Sequence, residues 1–116
     1  MRSDAFHVVR MLECADRVSA YTRVGREEFL LDSKCQDAVV RNLEVIGEAA
    51  RRVPADIRKR APDIPWDTLA RLRELFNHLY EDVDAEQLWL RCDRDLPPMR
   101  RALVEFVDRL DRMGWL

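Results

Sequence analysis

The sequence predicts an all-α protein, an up-and-down helical bundle of four to five helices with the C-terminal helix kinked or interrupted at Pro97-Pro98. Three observations carry that prediction. Apolar residues recur at spacings of three and four over most of the chain, the period of an amphipathic helix. Strand-like alternation of any useful length is missing, and glycine occurs only three times. Hydrophobic residues make up 47% and charged residues 36%, the balance of helices with one apolar stripe and a charged outer face. A chain of 116 residues is large enough to bury one core without disulfides or metal, so residues 1–116 are expected to form a single domain.

Each element has its own justification. Ser3 is placed to cap the first helix, with Asp4 favourable in its first turn. Val8, Leu12, Ala15 and Val18 mark that helix to about Arg23, and Gly25 ends it; His7 reads as an ordinary surface or boundary residue. Residues 26–32 form a connector or short helix anchored by Phe29 and Leu30. Asp32 or Ser33 then caps a helix whose stripe is Val39, Leu43, Ile46, Ala50 and Val53 and which Pro54 stops. Gly47 inside this helix costs about 1 kcal/mol in propensity, which predicts a close helix contact there. Asn42 and Glu48 lie near the stripe; solvent exposure and contact with a functional site both stay open for them.

Pro54, Pro62 and Pro65 leave room only for a short helix near Ala55–Arg60, surrounded by Arg51, Arg52, Arg58, Lys59 and Arg60. That basic run reads as a solvated face, with a phosphate-contacting patch as the alternative. Asp67 is placed to cap a third helix carrying Leu69, Leu72, Phe76 and Leu79, and Asp84 the next one. Ala85, Trp89, Cys92, Leu96, Met99 and Leu103 keep one register across Pro97-Pro98, which predicts coaxial segments with the prolines opening the second.

Charge and cysteine usage narrow the function classes. Lys plus Arg number 20 against 22 Asp plus Glu, and a net charge of −2 excludes nonspecific coating of nucleic acid, though not a local basic cleft. Cys14, Cys35 and Cys92 are an odd number without a C-x-x-C pair, so neither a disulfide framework nor a zinc site is expected, and the three read as small buried hydrophobes in a reducing compartment. No signal core or membrane-spanning run is present, and a cytoplasmic location is expected.

Chemistry concentrates in Arg73-Glu74-Leu75-Phe76-Asn77-His78-Leu79-Tyr80. A permanent guanidinium, an imidazole that titrates near neutrality and a phenol lie within this stretch. On an unbroken helix Arg73 and His78, five apart, point about 140° from each other, whereas Glu74 and His78 are neighbours and Glu74 can orient the imidazole. Convergence of Arg73 and His78 therefore needs a loosened helix near Asn77 or a second subunit. Given convergence, the natural reaction is RNA cleavage without metal: an imidazole takes the 2′-hydroxyl proton, an imidazolium protonates the leaving 5′-oxygen, and arginine binds the phosphate. A glycine-rich phosphate loop and a G-x-S-x-G are both missing, and His78-x-x-Glu81 is too sparse for a metal site.

A longer set of landmarks resembles the HepT-like branch of the HEPN superfamily: Gln36 to Ala50, Ile64-Pro65-Trp66, Arg73-x4-His78-x-Tyr80, Asp82-Val83-Asp84 and Asp95-Leu96-Pro97-Pro98, in family order across roughly residues 3–112. The resemblance implies a helical bundle that dimerises, and a ribonuclease toxin of a HepT/MntA-type toxin–antitoxin pair. It implies Arg73 and His78 as catalytic residues supported by Glu74 and Asn77, with no cofactor and no metal, RNA as substrate, and a nucleotidyltransferase (MntA-like) antitoxin that transfers AMP to Tyr80. The chain departs from the family pattern at Glu74, commonly Asn or Asp, and at Leu79, often Gly or polar. The alternative reading is a non-catalytic helical dimer that serves as binding or scaffolding partner of a nucleotidyltransferase.

Overall fold

The computed structural model describes residues 1–72, Glu74 and residues 84–116, and every regular element among them is helical. A 3-10 turn over Ser3–Ala5 leads into α1 (Phe6–Tyr21), followed by α2 (Arg26–Leu31), α3 (Ser33–Arg52), α4 (Ala55–Arg58), α5 (Trp66–Ala70), α6 (Ala85–Leu90) and α7 (Leu96–Arg112). Helix α1 packs against α3 and α7, α3 packs in turn against α5, and α2 bridges α3 and α6. One core cluster runs through all of these elements.

The expected helix starts hold at some positions and fail at others. Ser3 caps nothing: it sits inside the 3-10 turn, and the chain entry is held instead by Arg2, whose guanidinium donates to Asp4. The buried face of α1 is Val8, Met11, Cys14, Ala15 and Val18, with Leu12 only partly buried beside it. Helix α1 ends at Tyr21 rather than Arg23, because the Thr22 hydroxyl donates back to the Val18 carbonyl at 2.9 Å and a 3-10 turn follows. Gly25 then takes φ +88°, a conformation that an L side chain rarely tolerates.

Phe29 of α2 is fully buried against Trp89 of α6, with ring centroids 5.4 Å apart, and Arg26 is ion-paired with Glu86 across the same two helices. Asp32 caps α3 as expected, its carboxylate accepting from the Cys35 amide at 3.1 Å. The whole stripe Val39, Leu43, Ile46, Ala50 and Val53 is buried, together with Val40, Gly47 and Ala49. Pro54 stops the helix, and the carbonyls left over at its end are satisfied from a distance. Arg58 donates to the Ala50 carbonyl and to the Val53 carbonyl, each at 2.8 Å.

Asp67 is not a cap. Helix α5 begins at Trp66 with Pro65 in the cap position, and Asp67 lies in the first turn 3.9 Å from Arg58. Proline supplies a preset φ and has no amide to satisfy, so the helix opens two residues earlier than a cap at Asp67 would set it. Trp66 anchors α5: its indole N–H donates to the Ala61 carbonyl at 2.9 Å, and its ring meets Phe106 of α7 edge-on at 6.1 Å. Leu69 and Leu72 are buried as expected, while Phe76 and Leu79 lie outside the described residues.

Asp84 caps α6 through the Glu86 amide at 3.0 Å. Between α6 and α7 the break in the helix precedes Pro97-Pro98 and takes the form of a five-residue π turn, Arg91–Asp95, in which the Leu96 amide reaches back to the Arg91 carbonyl. The prolines occupy the first turn of α7, where their missing amides cost nothing. Of the expected register, Cys92, Leu96 and Leu103 are buried and Ala85, Trp89 and Met99 half-buried, while Leu88, outside that register, is buried beside them.

The two ends of the chain are clasped together. The Arg2 amide donates to the Trp115 carbonyl at 2.8 Å, and the guanidinium groups of Arg2 and Arg60 each lie 4.6 Å from the Trp115 ring centroid. Arg2 also donates to Asp56 of α4 as well as to Asp4, which holds both carboxyls below the usual carboxylate range and raises the guanidinium further.

Candidate active-site region

The reactive stretch is framed by two well-anchored pieces of chain. On its N-terminal side, α5 is pinned by Trp66 and the buried Leu69 and Leu72. On its C-terminal side, Asp84 turns the chain into α6. Arg73, Asn77, His78 and Tyr80, named above as catalytic, supporting and modified residues, lie outside the described residues.

Glu74 is the one candidate residue with described geometry. Its carboxylate accepts from Arg51 Nη2 at 2.8 Å, while Arg51 Nε donates to the Ala70 carbonyl at 3.0 Å. One guanidinium therefore ties the last turn of α3 both to the end of α5 and to the residue that follows Arg73 in sequence. Both side chains are substantially exposed, so this pair positions more than it stabilises. Arg51 had no distinguishing mark in the sequence, standing 23 residues before Glu74 in a basic run read as a solvated face.

Most of that basic run is occupied in structural work. Arg51 bridges α3 to α5, Arg52 pairs with Glu48 at 3.1 Å, Arg58 satisfies the end of α3, and Arg60 lies against Trp115. Asn42 turns its amide back onto its own helix, donating to the Ala38 carbonyl at 2.8 Å. Glu48 and the half-buried His7 line a groove between α1 and α3.

A second cleft of about 510 Å³ is enclosed by α3, α5, the π turn and the start of α7. Leu72 forms part of its wall. Cys92 also lines it, and burial pushes that thiol up to about 12, so it is a neutral apolar surface at physiological pH. Cys14 is buried and likewise raised by desolvation; Cys35 is half-buried with its thiol donating to the Tyr21 carbonyl. Among the described residues no group of three His, Cys, Asp or Glu side chains gathers as a metal site.

A family model described as ribonuclease HepT-like matches residues 11–106, a span that contains the whole of Arg73-x4-His78-x-Tyr80. The chain belongs to the HepT-like ribonuclease family. It is 37% identical over 100 residues to the probable ribonuclease HepT of Thermococcus cleftensis, an alignment that covers 85% of this chain and 91% of that one. Two proteins of Methanocaldococcus jannaschii are also similar. One, named "Putative RNase", is 46% identical over 85 residues, covering 73% of this chain and 70% of the relative. The other, named "Gamma-glutamylcyclotransferase and putative RNase", is 31% identical over 114 residues; there the alignment spans 97% of this chain but 51% of the relative. No solved structure matches the chain significantly. The HepT-like assignment accords with an all-helical architecture, and no helix among the described residues is long and apolar enough to cross a membrane.

Proposed function

We propose that this HepT-like protein is an endoribonuclease, the toxin of a toxin–antitoxin pair, acting without metal through Arg73 and His78. The observation that carries this reading is the complete Arg73-x4-His78-x-Tyr80 motif inside a family match over residues 11–106. Relatives bearing ribonuclease names support the same class of reaction.

The chemistry needs no co-reactant. An imidazole takes the 2′-hydroxyl proton, the 2′-oxygen bonds to the adjacent phosphorus, and the bond to the 5′-oxygen breaks as that oxygen gains a proton from an imidazolium. Arg73 holds the phosphate and offsets the charge that builds on its oxygens. An unbroken helix would set Arg73 and His78 on different sides, so convergence calls for a loosened helix near Asn77 or for a homodimer in which two subunits supply complementary groups, and the family reading favours the homodimer. Glu74, held by Arg51, and Asn77 support the pair. Tyr80 is the acceptor of AMP from a nucleotidyltransferase antitoxin, and bulky phosphate beside Arg73 closes the site by occupying the arginine.

The test is cleavage of single-stranded RNA in EDTA by the purified protein and by His78→Ala. A general acid–base contributes about 10²–10⁴-fold, so the variant is expected to lose at least two decades of rate. Equal cleavage by both proteins would remove His78 from the mechanism. Loss of all cleavage in EDTA with recovery on adding Mg²⁺ would remove the metal-independent route. Growth arrest on expression without the antitoxin, relieved by Arg73→Ala, separates this reading from a non-catalytic scaffold.

A further inference from the structure

The cleft walled in part by Leu72, the residue before Arg73 in sequence, has a composition that a simple packing defect would not have. Its floor and walls are apolar, formed by Leu43, Leu69, Leu72, Cys92, Pro98 and Met99. Its rim carries Asp63, Thr68, Arg91 and Asp95, and none of these four side chains makes a hydrogen bond or ion pair among the described residues. The π turn that brings Arg91, Cys92 and Asp95 to the cleft is itself an irregularity of the kind that accompanies functional sites.

We propose that this cleft is a base-recognition subsite that seats one unstacked guanine of single-stranded RNA, its faces against Pro98, Met99 and the leucines and its edges toward the polar rim. The inference rests on the ribonuclease reading and deepens it by naming what the substrate presents beside the scissile phosphate. Size fits: about 510 Å³ lies within the range of small-ligand sites and admits a purine. Chemistry selects the base. Guanine offers N1–H and its 2-amino group side by side, and one carboxylate accepts from both, while Arg91 on the same rim matches the O6 and N7 acceptors. Adenine and cytosine set a ring nitrogen acceptor beside their amino group, and uracil flanks its single N–H with two carbonyls. Each of these brings an acceptor against a carboxylate. Two aspartates and one arginine leave the rim negative, so it disfavours phosphate and suits a base. An apolar segment of a protein partner would strip water from Asp63 and Asp95 without offering donors in return.

The experiment uses fluorescently labelled 2′-O-methyl hexanucleotides, which cannot be cleaved because the nucleophile is blocked. A single guanine in a uridine background is replaced by inosine, adenine, cytosine or uridine, and affinity for the full chain is read by anisotropy. The wild type is expected to favour guanine over the other standard bases by about five- to a hundredfold, the usual discrimination of one bidentate contact, with inosine weaker than guanine because it lacks the 2-amino group. Asp63→Asn combined with Asp95→Asn, both at exposed positions, is expected to bring all five within twofold while circular dichroism stays unchanged. No binding, equal binding of the five by the wild type, or a guanine preference that survives the double variant overturns the subsite and leaves the cleft to a protein partner. Cleavage of ordinary RNA in EDTA is measured in parallel. Cleavage without base discrimination sinks the subsite alone, and discrimination without cleavage sinks the ribonuclease reading alone.

Discussion

The clasp that joins the chain ends and the cleft between α3, α5 and α7 use the same side-chain types to opposite effect. In the clasp, Arg2 is shared between Asp4 and Asp56, and Trp115 lies against two guanidinium groups, so nearly every charge has an internal partner. In the cleft, two aspartates, a threonine and an arginine stand around an apolar floor with no internal partner among the described residues. A protein stabilises itself with the first arrangement and leaves the second available to something outside it. Glu74 sits between the two regimes, tied by Arg51 yet next in sequence to Arg73.

The comparison can be broken at its structural end first. Arg58→Met removes the donors to the Ala50 and Val53 carbonyls at the end of α3, and a loss of about 1–3 kcal/mol in urea unfolding is expected. A change within experimental error would show that water satisfies those carbonyls equally well. A double-mutant cycle of Arg51→Gln and Glu74→Gln should give a smaller coupling, about 0.2–1 kcal/mol, because the pair is exposed. A coupling well above that would mean the tether is a stability element and not a positioning one.

The smallest effect is the most specific. Asp56 has its folded pKa lowered by the Arg2 guanidinium from an ordinary value of 3.8. A lowered folded value contributes stability above the unfolded value and loses it as pH falls through the folded one. Asp56→Asn is therefore expected to lower Tm by a constant amount between pH 5 and 8, on the order of a degree or two. The gap to wild type should close below about pH 4, as the wild-type carboxyl takes up its proton. A gap that persists unchanged at pH 2 would place the effect in packing and not in charge.

Much of the fold is legible in the sequence because helix periodicity and caps are local. The stripe from Val39 to Val53, the stop at Pro54, the caps at Asp32 and Asp84 and the turn at Gly25 follow from side-chain spacing and backbone chemistry within a few residues. Ser3 and Asp67 mislead for an instructive reason. Each has the right residue type, but a neighbour supplies what the cap would have supplied: Arg2 through its tie to Asp4 and Asp56, and Pro65 through its fixed φ. The register across Pro97-Pro98 is readable too, although the π turn that sustains it is not, since five residues can be wound as α or π without any change in which side chains are apolar.

By itself, then, the sequence determined an all-α chain, the boundaries of α1 and α3 to within a turn, and the Arg73-x4-His78-x-Tyr80 motif that lies within the span matched by the HepT-like family. Tertiary structure alone decided which charges face one another. It spent Arg51, Arg58 and Arg60 of the basic run on a helix tether, a helix end and an aromatic ring, and it left Asp63 and Asp95, from separate segments, around one cleft. Pairing of that kind depends on distances of a few ångströms between residues tens of positions apart, and no local pattern in a chain encodes such distances.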